Sequence, residues 1–296
     1  MSPAASHVLM IEPVQFRANA ETSATNAFQH AALDEDVARK ALMQHRGFRD
    51  RLIESGVTVT VARGDAAAPD APFCNNWFST HASGKLVLYP MLAENRRIER
   101  RQDLVDRLRA RYPEVVDLSA HEKSGRFLEG TGSLCIDAAN GVAYAALSPR
   151  TEKALAQGLC ATLGLRLVAF TATDAGGVPY YHTNVMMFVG HGLAAVCAEA
   201  ITADAEREAV LDSLAKAGHE VLLLTREQVA AYCGNVLALR SDRDECLWAM
   251  SSTAAAAFTR AQREALERRA RIVDAPLDAF EQAGGGSARC LLAELL

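Results

Sequence analysis

The sequence lacks the paired cysteines that mark a zinc site or a redox dithiol. Its seven cysteines are scattered, and no two of them stand in a Cys-X-X-Cys arrangement. The missing pairs argue against both kinds of site, and unpaired thiols are typical of a protein in a reducing compartment. We therefore expect a cytoplasmic protein without a metal, in which most cysteines pack as small apolar side chains.

Long apolar runs and a strong charge of one sign are also missing. No run approaches the length of a membrane span, and no basic segment followed by an apolar core opens the chain, so no secretory signal is expected. The formal net charge is −5, which gives no reason to expect a nucleic acid or an anionic membrane as a partner. Half of the 296 residues are apolar, which is an ordinary globular composition.

The sequence does contain a recurring turn. A short polar segment rich in glycine or asparagine precedes an apolar, strand-like run six times, at intervals of roughly 52 to 54 residues. The six segments are ETSATNAF at 21, FCNNWFSTH at 73, FLEGTGSLCI at 127, YHTNVMMFV at 181, CGNVLAL at 233 and GGSARCLLAEL at 285. A period of this length indicates an array of repeated modules.

The residues between two such turns follow one order. Two strands joined by a tight turn come first, then a segment with the apolar spacing of a helix, then a third strand. In one unit, for example, the Asn-Gly of DAANGV predicts a hairpin and PRTEKALAQGLCATLG predicts the helix. The strands at the two ends of the chain complete one unit together and close a ring. We therefore predict an α/β fold of five modules around an axis, formed by residues 1–296 as a single domain, with the polar turns gathered at one end.

Several of these segments resemble those of a known group of enzymes. PDAPFCNNWFSTH, FLEGTGSL, SPRT, YHTNVMM and GGGSARCLLAEL together are similar to the guanidino-modifying enzymes, the pentein superfamily of arginine deiminases, amidinotransferases and dimethylarginine hydrolases. Within it, NNWFSTH and HTNV look most like the citrulline-utilisation hydrolase CtlX. The resemblance extends over essentially the whole chain. It implies a five-bladed β/α-propeller and a reaction without a metal or an organic cofactor.

The resemblance implies three catalytic residues. Cys290 corresponds to the nucleophile, whose thiolate attacks the central carbon of a guanidino or ureido group. His182 corresponds to the general acid and base, a role that suits the ordinary imidazole pKa of about 6.5, and Glu129 to the carboxylate that orients the substrate nitrogens. The alternatives are a buried apolar cysteine in the last strand, a structural histidine at a strand start and a carboxylate in an ordinary turn.

Three glycines, residues 284–286, stand just before Cys290. Glycine at successive positions weakens any regular structure, so we expect a demand on backbone shape or on close approach. On the enzymatic interpretation these glycines let substrate reach the sulfur without a Cβ in the way. A flexible tail is the alternative.

Two asparagines depart from the pattern of the deiminases. Arginine deiminases and dimethylarginine hydrolases carry an aspartate at the position of Asn76, and the His-X-Asp of the family is His-X-Asn here, at Asn184. A carboxylate offers only acceptors, which suits a guanidinium that offers only donors. A ureido group offers an acceptor and donors, and an asparagine amide can match both. The two asparagines therefore favour citrulline over arginine, unless Asn76 only forms a turn.

The remaining contacts follow from the resemblance alone. Asp70 stands where the family has an aspartate near the α-amino end of the substrate. Arg150 in SPRT matches the arginine that binds the α-carboxylate as a fork. Arg97 matches a second such arginine, with its neighbour Arg96 as the alternative. A solvated surface position is the other interpretation of each arginine.

We therefore expect a hydrolase that converts citrulline to ornithine, ammonia and carbon dioxide. An arginine deiminase, a dimethylarginine-type hydrolase and an amidinotransferase stay open. A non-catalytic binding protein of the same fold stays open too, because fold alone does not fix function. The expected partner is a small amino-acid substrate, with no nucleic acid and no membrane, and a homodimer is left open.

Overall fold

Five small sheets form the framework of the protein. The computed structural model describes residues 4–29 and 36–296, and the strands in them lie in five three-stranded sheets. In chain order they are β1 (His7–Glu12), β2 (Thr58–Arg63), β3 (Phe78–Thr80), β4 (Lys85–Leu88), β5 (Glu114–Asp117), β6 (Cys135–Asp137), β7 (Val142–Ala146), β8 (Arg166–Phe170), β9 (Met187–Gly190), β10 (Leu193–Val196), β11 (Glu220–Leu223), β12 (Leu237–Arg240), β13 (Cys246–Ser251), β14 (Arg271–Ala275) and β15 (Ala293–Glu294).

All five sheets have the same topology. The first strand is antiparallel to the middle strand, and the middle strand is parallel to the third. The sheets are β3-β4-β5, β6-β7-β8, β9-β10-β11, β12-β13-β14 and β15-β1-β2. In the last of these, Val8 lies opposite Glu294, so the two ends of the chain share one sheet.

A helix crosses from the middle strand to the third strand of every module, as a parallel connection requires. The helices of the described residues are α1 (Ala20–Ser23), α2 (Val37–Glu54), α3 (Gln102–Arg111), α4 (Gly130–Ser133), α5 (Lys153–Leu163), α6 (Asp204–Lys216), α7 (Arg226–Ala230), α8 (Ser252–Ala257), α9 (Arg260–Glu267) and α10 (Asp278–Gly284). The crossover helices are α2, α3, α5, α6 and α9. The predicted α/β fold of five strand–strand–helix–strand modules is confirmed.

Burial on both faces explains the apolar runs of the sequence. Every residue of β7, with the sequence VAYAA, and of β10, with the sequence LAAV, is buried. A middle strand that is covered on both sides carries a continuous apolar run instead of an alternating pattern. No helix in the described ranges is long and apolar enough to cross a membrane.

Five polar turns meet at one end of the axis, each just before the first strand of a module. They are Cys74–Asn76, α4, Thr183–Val185, the turn at 232–236 and Ala288–Leu291. Each turn bonds to the next around a closed ring: Asn75 Nδ2 to Thr131 Oγ1 (3.2 Å), Thr183 Oγ1 to Ser133 O (2.6 Å), Asn235 Nδ2 to Asn184 O (2.9 Å), Arg289 N to Asn235 Oδ1 (3.0 Å), and Cys74 Sγ to Leu291 O (3.7 Å). The fold therefore brings residues from all five modules together.

The segment at 21–28 behaves differently from the other recurring turns. Its first residues belong to α1, which lies between β1 and α2. The strand-like run expected directly after it reaches residues 30–35, which lie outside the described residues. That residues 1–296 form one catalytic domain stays a prediction.

Candidate active site

A small polar cavity lies where the turns meet. Its volume is about 10 Å³, and the residues around it come from segments far apart in the sequence. They are Thr22, Asn26, Asp70, Phe73, Asn76, Arg96, Arg150, Tyr181, His182, Gly284, Gly286 and Cys290. The cavity is therefore a narrow pocket with charged walls.

Cys290 lies in the turn Ala288–Leu291 and is only 3% exposed. Two side-chain amides point their nitrogens at its sulfur: Asn235 Nδ2 at 3.3 Å and Asn184 Nδ2 at 3.7 Å. Burial raises the pKa of the Cys290 thiol, while bonds to the backbone of Ser287 and to Asn235 oppose that rise. The sulfur thus faces donors that favour a thiolate.

The glycines before Cys290 pack against an aromatic ring. A Cβ on Gly284 would lie 2.5 Å from the ring of Phe73, and one on Gly286 would lie 2.8 Å from it. Gly285 has φ of +64°, and its carbonyl accepts from the Tyr181 hydroxyl at 2.6 Å. Backbone shape and close approach both require glycine here. In the structure this run forms the end of α10 and one wall of the cavity.

His182 and Glu129 form a buried pair. His182 Nε2 lies 2.8 Å from Glu129 Oε2, and the other carboxylate oxygen accepts from the Leu92 N–H at 3.0 Å. Burial acts to raise the pKa of Glu129, but Arg150, His182 and Arg96 together lower it to about 2. Burial lowers the pKa of His182 to about 4, against the opposing effect of Glu129. At neutral pH the pair is a carboxylate and a neutral imidazole.

Glycine at 132 allows three groups to come together. A Cβ at this position would lie 2.6 Å from His182 Nδ1 and 2.5 Å from Asn76 Nδ2. Such distances are essentially never found for a real Cβ, so the motif FLEGTGSL needs a glycine here because the imidazole and the amide occupy the space beside it.

Arg150 and Asp70 line the side of the cavity that α1 covers. The Arg150 guanidinium donates to Thr25 Oγ1 at 2.7 Å and to Thr22 O at 3.0 Å, and it lies 5.0 Å from the ring centre of Tyr181. Asp70 Oδ2 accepts from Asn19 Nδ2 at 2.8 Å. The buried Asp70 Oδ1 has no partner among the described residues. An ammonium group of a ligand would satisfy this oxygen.

Asn76 is held by an arginine of the same protein. Arg96 Nη1 donates to Asn76 Oδ1 at 3.0 Å, and Asn76 Nδ2 donates to Asn75 Oδ1 at 3.1 Å. Two further bonds, of 2.8 and 3.0 Å, join the Arg96 guanidinium to Glu99. Although burial opposes its charge, Glu99 and Asp70 hold the pKa of Arg96 above its usual value.

Arg97 does not line the cavity, and the prediction that it faces the site is corrected in favour of Arg96. The Arg97 guanidinium donates to the carbonyls of Met91 and Leu92 at 3.1 and 3.4 Å and lies 3.5 Å from Glu122. Its side chain is 28% exposed, against 2% for Arg96. The bidentate bond to Glu99, three residues along the same helical turn, directs Arg96 inward instead.

The other predicted residues lie at the cavity or directly behind it. Those that line it are Asp70, Asn76, Arg150, His182 and Cys290. Glu129 supports His182 from behind, and Asn184 contacts the sulfur. The catalytic and binding roles given to these residues stay predictions.

Several residues of the cavity were not found from the sequence. Asn235 lies in one of the recurring turns, which was a usable signal. Tyr181 stands beside His182, and Glu99 follows Arg96 by three residues, a spacing that favours an ion pair on one face of a helical turn. Thr22 and Asn26 belong to the polar segment at 21–28 and carried no signal of their own.

The arrangement has the parts of nucleophilic catalysis. A thiol with two amide donors shares the cavity with an imidazole, and a carboxylate fixes the far nitrogen of that imidazole. A nucleophile, a base and a group that orients the base form the general pattern of covalent hydrolysis. No group of three or more His, Cys, Asp and Glu side chains in residues 4–29 and 36–296 is arranged to hold a metal ion. That the protein needs no cofactor stays a prediction.

The fold is shared with solved structures of low sequence identity. The N-terminal domain of ArgZ, covalently bound to a reaction intermediate, is 16% identical with a TM-score of 0.78, over 98% of this chain and 97% of that chain. The same domain bound to product, described as an arginine dihydrolase from the ornithine–ammonia cycle in cyanobacteria, gives the same identity, TM-score and coverage. A dimethylarginine dimethylaminohydrolase adduct with S-methyl-L-thiocitrulline is 14% identical with a TM-score of 0.69, over 98% of this chain and all of that chain.

The sequence itself matches one family. No match was found among curated proteins. The model of the eukaryotic family "N,N dimethylarginine dimethylhydrolase" matches residues 12–296. Because this match extends over nearly the whole chain, the protein belongs to the N,N dimethylarginine dimethylhydrolase family of the guanidino-modifying enzymes, hydrolases that act on carbon–nitrogen bonds.

Proposed function

We propose that the protein hydrolyses the ureido group of free citrulline, giving ornithine, ammonia and carbon dioxide, with Cys290 as the nucleophile. His182 takes the thiol proton, and the thiolate then forms a bond to the ureido carbon. The bond from this carbon to the terminal nitrogen breaks, and His182 gives its proton to the leaving ammonia. Water, deprotonated by His182, then cleaves the resulting thiocarbamate, and the sulfur recovers its electron pair and its proton. The carbamate that leaves loses carbon dioxide to become ornithine.

The contacts of Cys290, His182 and Glu129 support this chemistry. Glu129 is ionised and bonds one nitrogen of a neutral imidazole, so the proton of His182 is held on Nε2 and Nδ1 is free to act as a base. The cavity is narrow and Cys290 and His182 are buried, which limits the access of bulk water to the covalent intermediate.

The observation that carries the choice of citrulline is the environment of Asn76. Its oxygen already accepts from the buried Arg96 cation, and one of its two N–H groups donates to Asn75. The second N–H suits the carbonyl oxygen of a ureido group but has nothing to offer a guanidinium, which carries only donors. A substrate guanidinium at Asn76 would also lie beside the like charge of Arg96.

Arginine is the second candidate, because of the buried charges around the pocket. Three carboxylates, those of Asp70, Glu99 and Glu129, surround the two guanidinium groups of Arg96 and Arg150. The additional positive charge of arginine would balance this set. ArgZ is an arginine dihydrolase, and hydrolysis of arginine in two steps would end at the same ornithine.

The charged groups on the other side of the pocket match the amino-acid part of either substrate. The unpartnered Oδ1 of Asp70 suits an α-ammonium group. Arg150 donates hydrogen bonds to the neutral oxygens of Thr22 and Thr25 and lies 3.6 Å from Glu129, and its guanidinium suits an α-carboxylate. Likeness to CtlX and a cytoplasmic location belong to the same proposal, and a homodimer stays a prediction.

Product analysis tests the proposal. Wild type, Cys290→Ala and Asn76→Asp are incubated separately with citrulline, arginine and N,N-dimethylarginine, and ornithine, citrulline, ammonia and dimethylamine are measured. We expect wild type to release ornithine and ammonia from citrulline, Cys290→Ala to be inactive, and Asn76→Asp to shift preference toward arginine.

Other products would indicate one of the alternative activities. Citrulline that accumulates from arginine without ornithine indicates a deiminase. Dimethylamine released from dimethylarginine without ornithine indicates a dimethylarginine hydrolase. Transfer of the amidino group from arginine to added glycine indicates an amidinotransferase. No turnover of any substrate favours a binding protein.

A further inference from the structure

Among the five turns that meet at the axis, the turn before β12 is the one to which no catalytic or binding role has been given. Its Asn235 is completely buried. The side-chain amide contacts three groups: Cys290 Sγ at 3.3 Å and Asn184 O at 2.9 Å through Nδ2, and the Arg289 N–H at 3.0 Å through Oδ1. It is the nearer of the two amide donors on the sulfur.

The partners of Asn235 fix which end of the amide faces Cys290. Oδ1 lies on the Arg289 N–H, which can only donate, and Nδ2 lies on the Asn184 carbonyl, which can only accept. The reversed amide would lose both bonds and bury two mismatched polar groups. An N–H of Asn235 is therefore directed at the sulfur.

The backbone around Asn235 is held in an unusual conformation. A Cβ on Gly234 would lie 2.3 Å from the Val185 carbonyl oxygen, so the turn approaches its neighbour as closely as only glycine allows. Tyr232 has φ of +62°, which is uncommon for a residue with a side chain. Its hydroxyl donates to Glu281 O at 2.7 Å and thereby ties the turn to α10, the helix before the nucleophile. Strain of this kind is stored where a side chain must be held in one place.

We propose that Asn235 is a catalytic residue that stabilises the thiolate of Cys290, an inference that rests on the proposed function. The sulfur carries negative charge twice in that reaction. It does so before it forms the bond to the substrate carbon and again when water breaks that bond and the electron pair returns to sulfur. Asn235 donates to the sulfur at both points, and a hydrogen bond to a charged acceptor is about twice as strong as one between neutral groups.

Groups other than Asn235 also act on the Cys290 thiol. Burial raises the pKa of the Cys290 thiol, and Arg289 and the amide of Asn184 act against that rise. The phenols of Tyr181 and Tyr232 also face the sulfur, and burial raises the pKa of each well above its usual value. These side chains are unchanged in an Asn235 variant, so a change in the titration of Cys290 reports the loss of the Asn235 amide, together with its bonds to Asn184 O and the Arg289 N–H.

The test is the pH dependence of Cys290 alkylation by iodoacetamide, followed at the Cys290 peptide by mass spectrometry. Asn235→Ala removes the donor without adding a charge. We expect the pH midpoint of alkylation to rise and the rate at neutral pH to fall about 10- to 100-fold. Cys233→Ala is the matched control, because Cys233 is buried in the same turn and its sulfur contacts Ala254 O, away from Cys290. This variant should keep the wild-type midpoint.

An unchanged midpoint in folded Asn235→Ala would overturn the proposal, even if turnover fell, because a purely structural role predicts that combination. If Asn235→Ala does not fold, the pH midpoint of Cys290 alkylation is measured in Asn235→Ser, with the same expected and contradicting results. Alkylation needs no substrate, so the inference about Asn235 and the choice of citrulline can fail independently of one another.

Discussion

Two buried histidine–carboxylate pairs lie in the described part of the chain, one at each end of the strands that surround the axis. His182 bonds Glu129 at 2.8 Å in the small cavity at the turns, and His219 bonds Asp137 at 2.6 Å in a cavity of about 520 Å³ lined by the first strands and their hairpins. The local geometry of the two pairs is nearly the same. What differs is the surroundings.

The smaller cavity contains the groups that nucleophilic catalysis requires. Glu129 lies 3.6 Å from Arg150 and 3.8 Å from Arg96, and the cavity also contains the sulfur of Cys290. The larger cavity is lined by many apolar strand residues, and its Arg289 is already paired with Glu294 at 3.0 Å. Of these two cavities, the one at the turns is the smaller, so its volume does not mark it as the site. A histidine–carboxylate pair becomes a candidate for catalysis when a nucleophile and opposing charges share its pocket.

Replacing each histidine in turn should give the largest difference between the two ends. We expect His182→Gln to lower kcat by about 100- to 10,000-fold, because the general acid and base is lost. His219→Gln should change kcat little, since its pair lies outside the pocket. The measurement is steady-state turnover of the substrate found by product analysis, with circular dichroism to show that both variants are folded. Similar losses of kcat in both variants would contradict the assignment.

The neighbouring arginines should separate the site from the surface in stability. Arg96→Met leaves Glu99 without its partner in a buried pocket, and we expect the free energy of unfolding to fall by about 3–5 kcal/mol. Arg97→Met removes a partly exposed arginine, so the expected loss is below about 1 kcal/mol. Urea unfolding of the two variants at one pH measures the difference. Equal losses would show that the inward position of Arg96 is wrong.

The buried imidazole of His182 should have a smaller effect, on how the free energy of unfolding depends on pH. The pKa of His182 is lowered to about 4 in the folded protein. Between pH 6.5 and pH 4, His182 is therefore protonated in the unfolded chain and neutral in the folded chain. Stability therefore falls as the pH falls through this range, by at most about 3 kcal/mol from this group. His182→Gln should lose less stability than wild type over the same range.

A second buried histidine, His45, adds the same pH dependence to both proteins and cancels in the comparison. Burial lowers the pKa of His45 to about 4 as well, and this residue contributes equally to wild type and variant. If the two stability curves stay parallel from pH 6.5 to pH 4, the lowered pKa of His182 is wrong.

The period of the polar turns is what made the fold predictable. Each turn stands at the same place in its module, so the topology brings Cys290 and His182 to the same end of the axis although they are 108 residues apart in sequence. The apolar runs of the middle strands β7 and β10 come from burial on both faces, and the order of strands and helix follows from the pattern of each module.

The site was less accessible to sequence reasoning. Arg96 and Arg97 are adjacent in one helical turn, and only the bidentate contact with Glu99 decides which of them points inward. Asn235 belongs to a recurring turn, but the resemblance gave it no role, and its distance to the sulfur depends on the approach of Gly234 to the neighbouring turn. Contacts between modules of this kind are set by packing, which a single sequence does not display.

The measurement that tests the central claim most directly is mass spectrometry of the protein quenched with acid during turnover of citrulline. The account predicts an adduct of the substrate carbon on the Cys290 peptide, which Cys290→Ser lacks together with all turnover. Cys74→Ser is the matched control, because Cys74 is buried in the equivalent turn of another module and its thiol pKa is raised to about 12. This variant should keep both adduct and activity. Turnover by Cys290→Ser, or an adduct on another residue, would contradict the account.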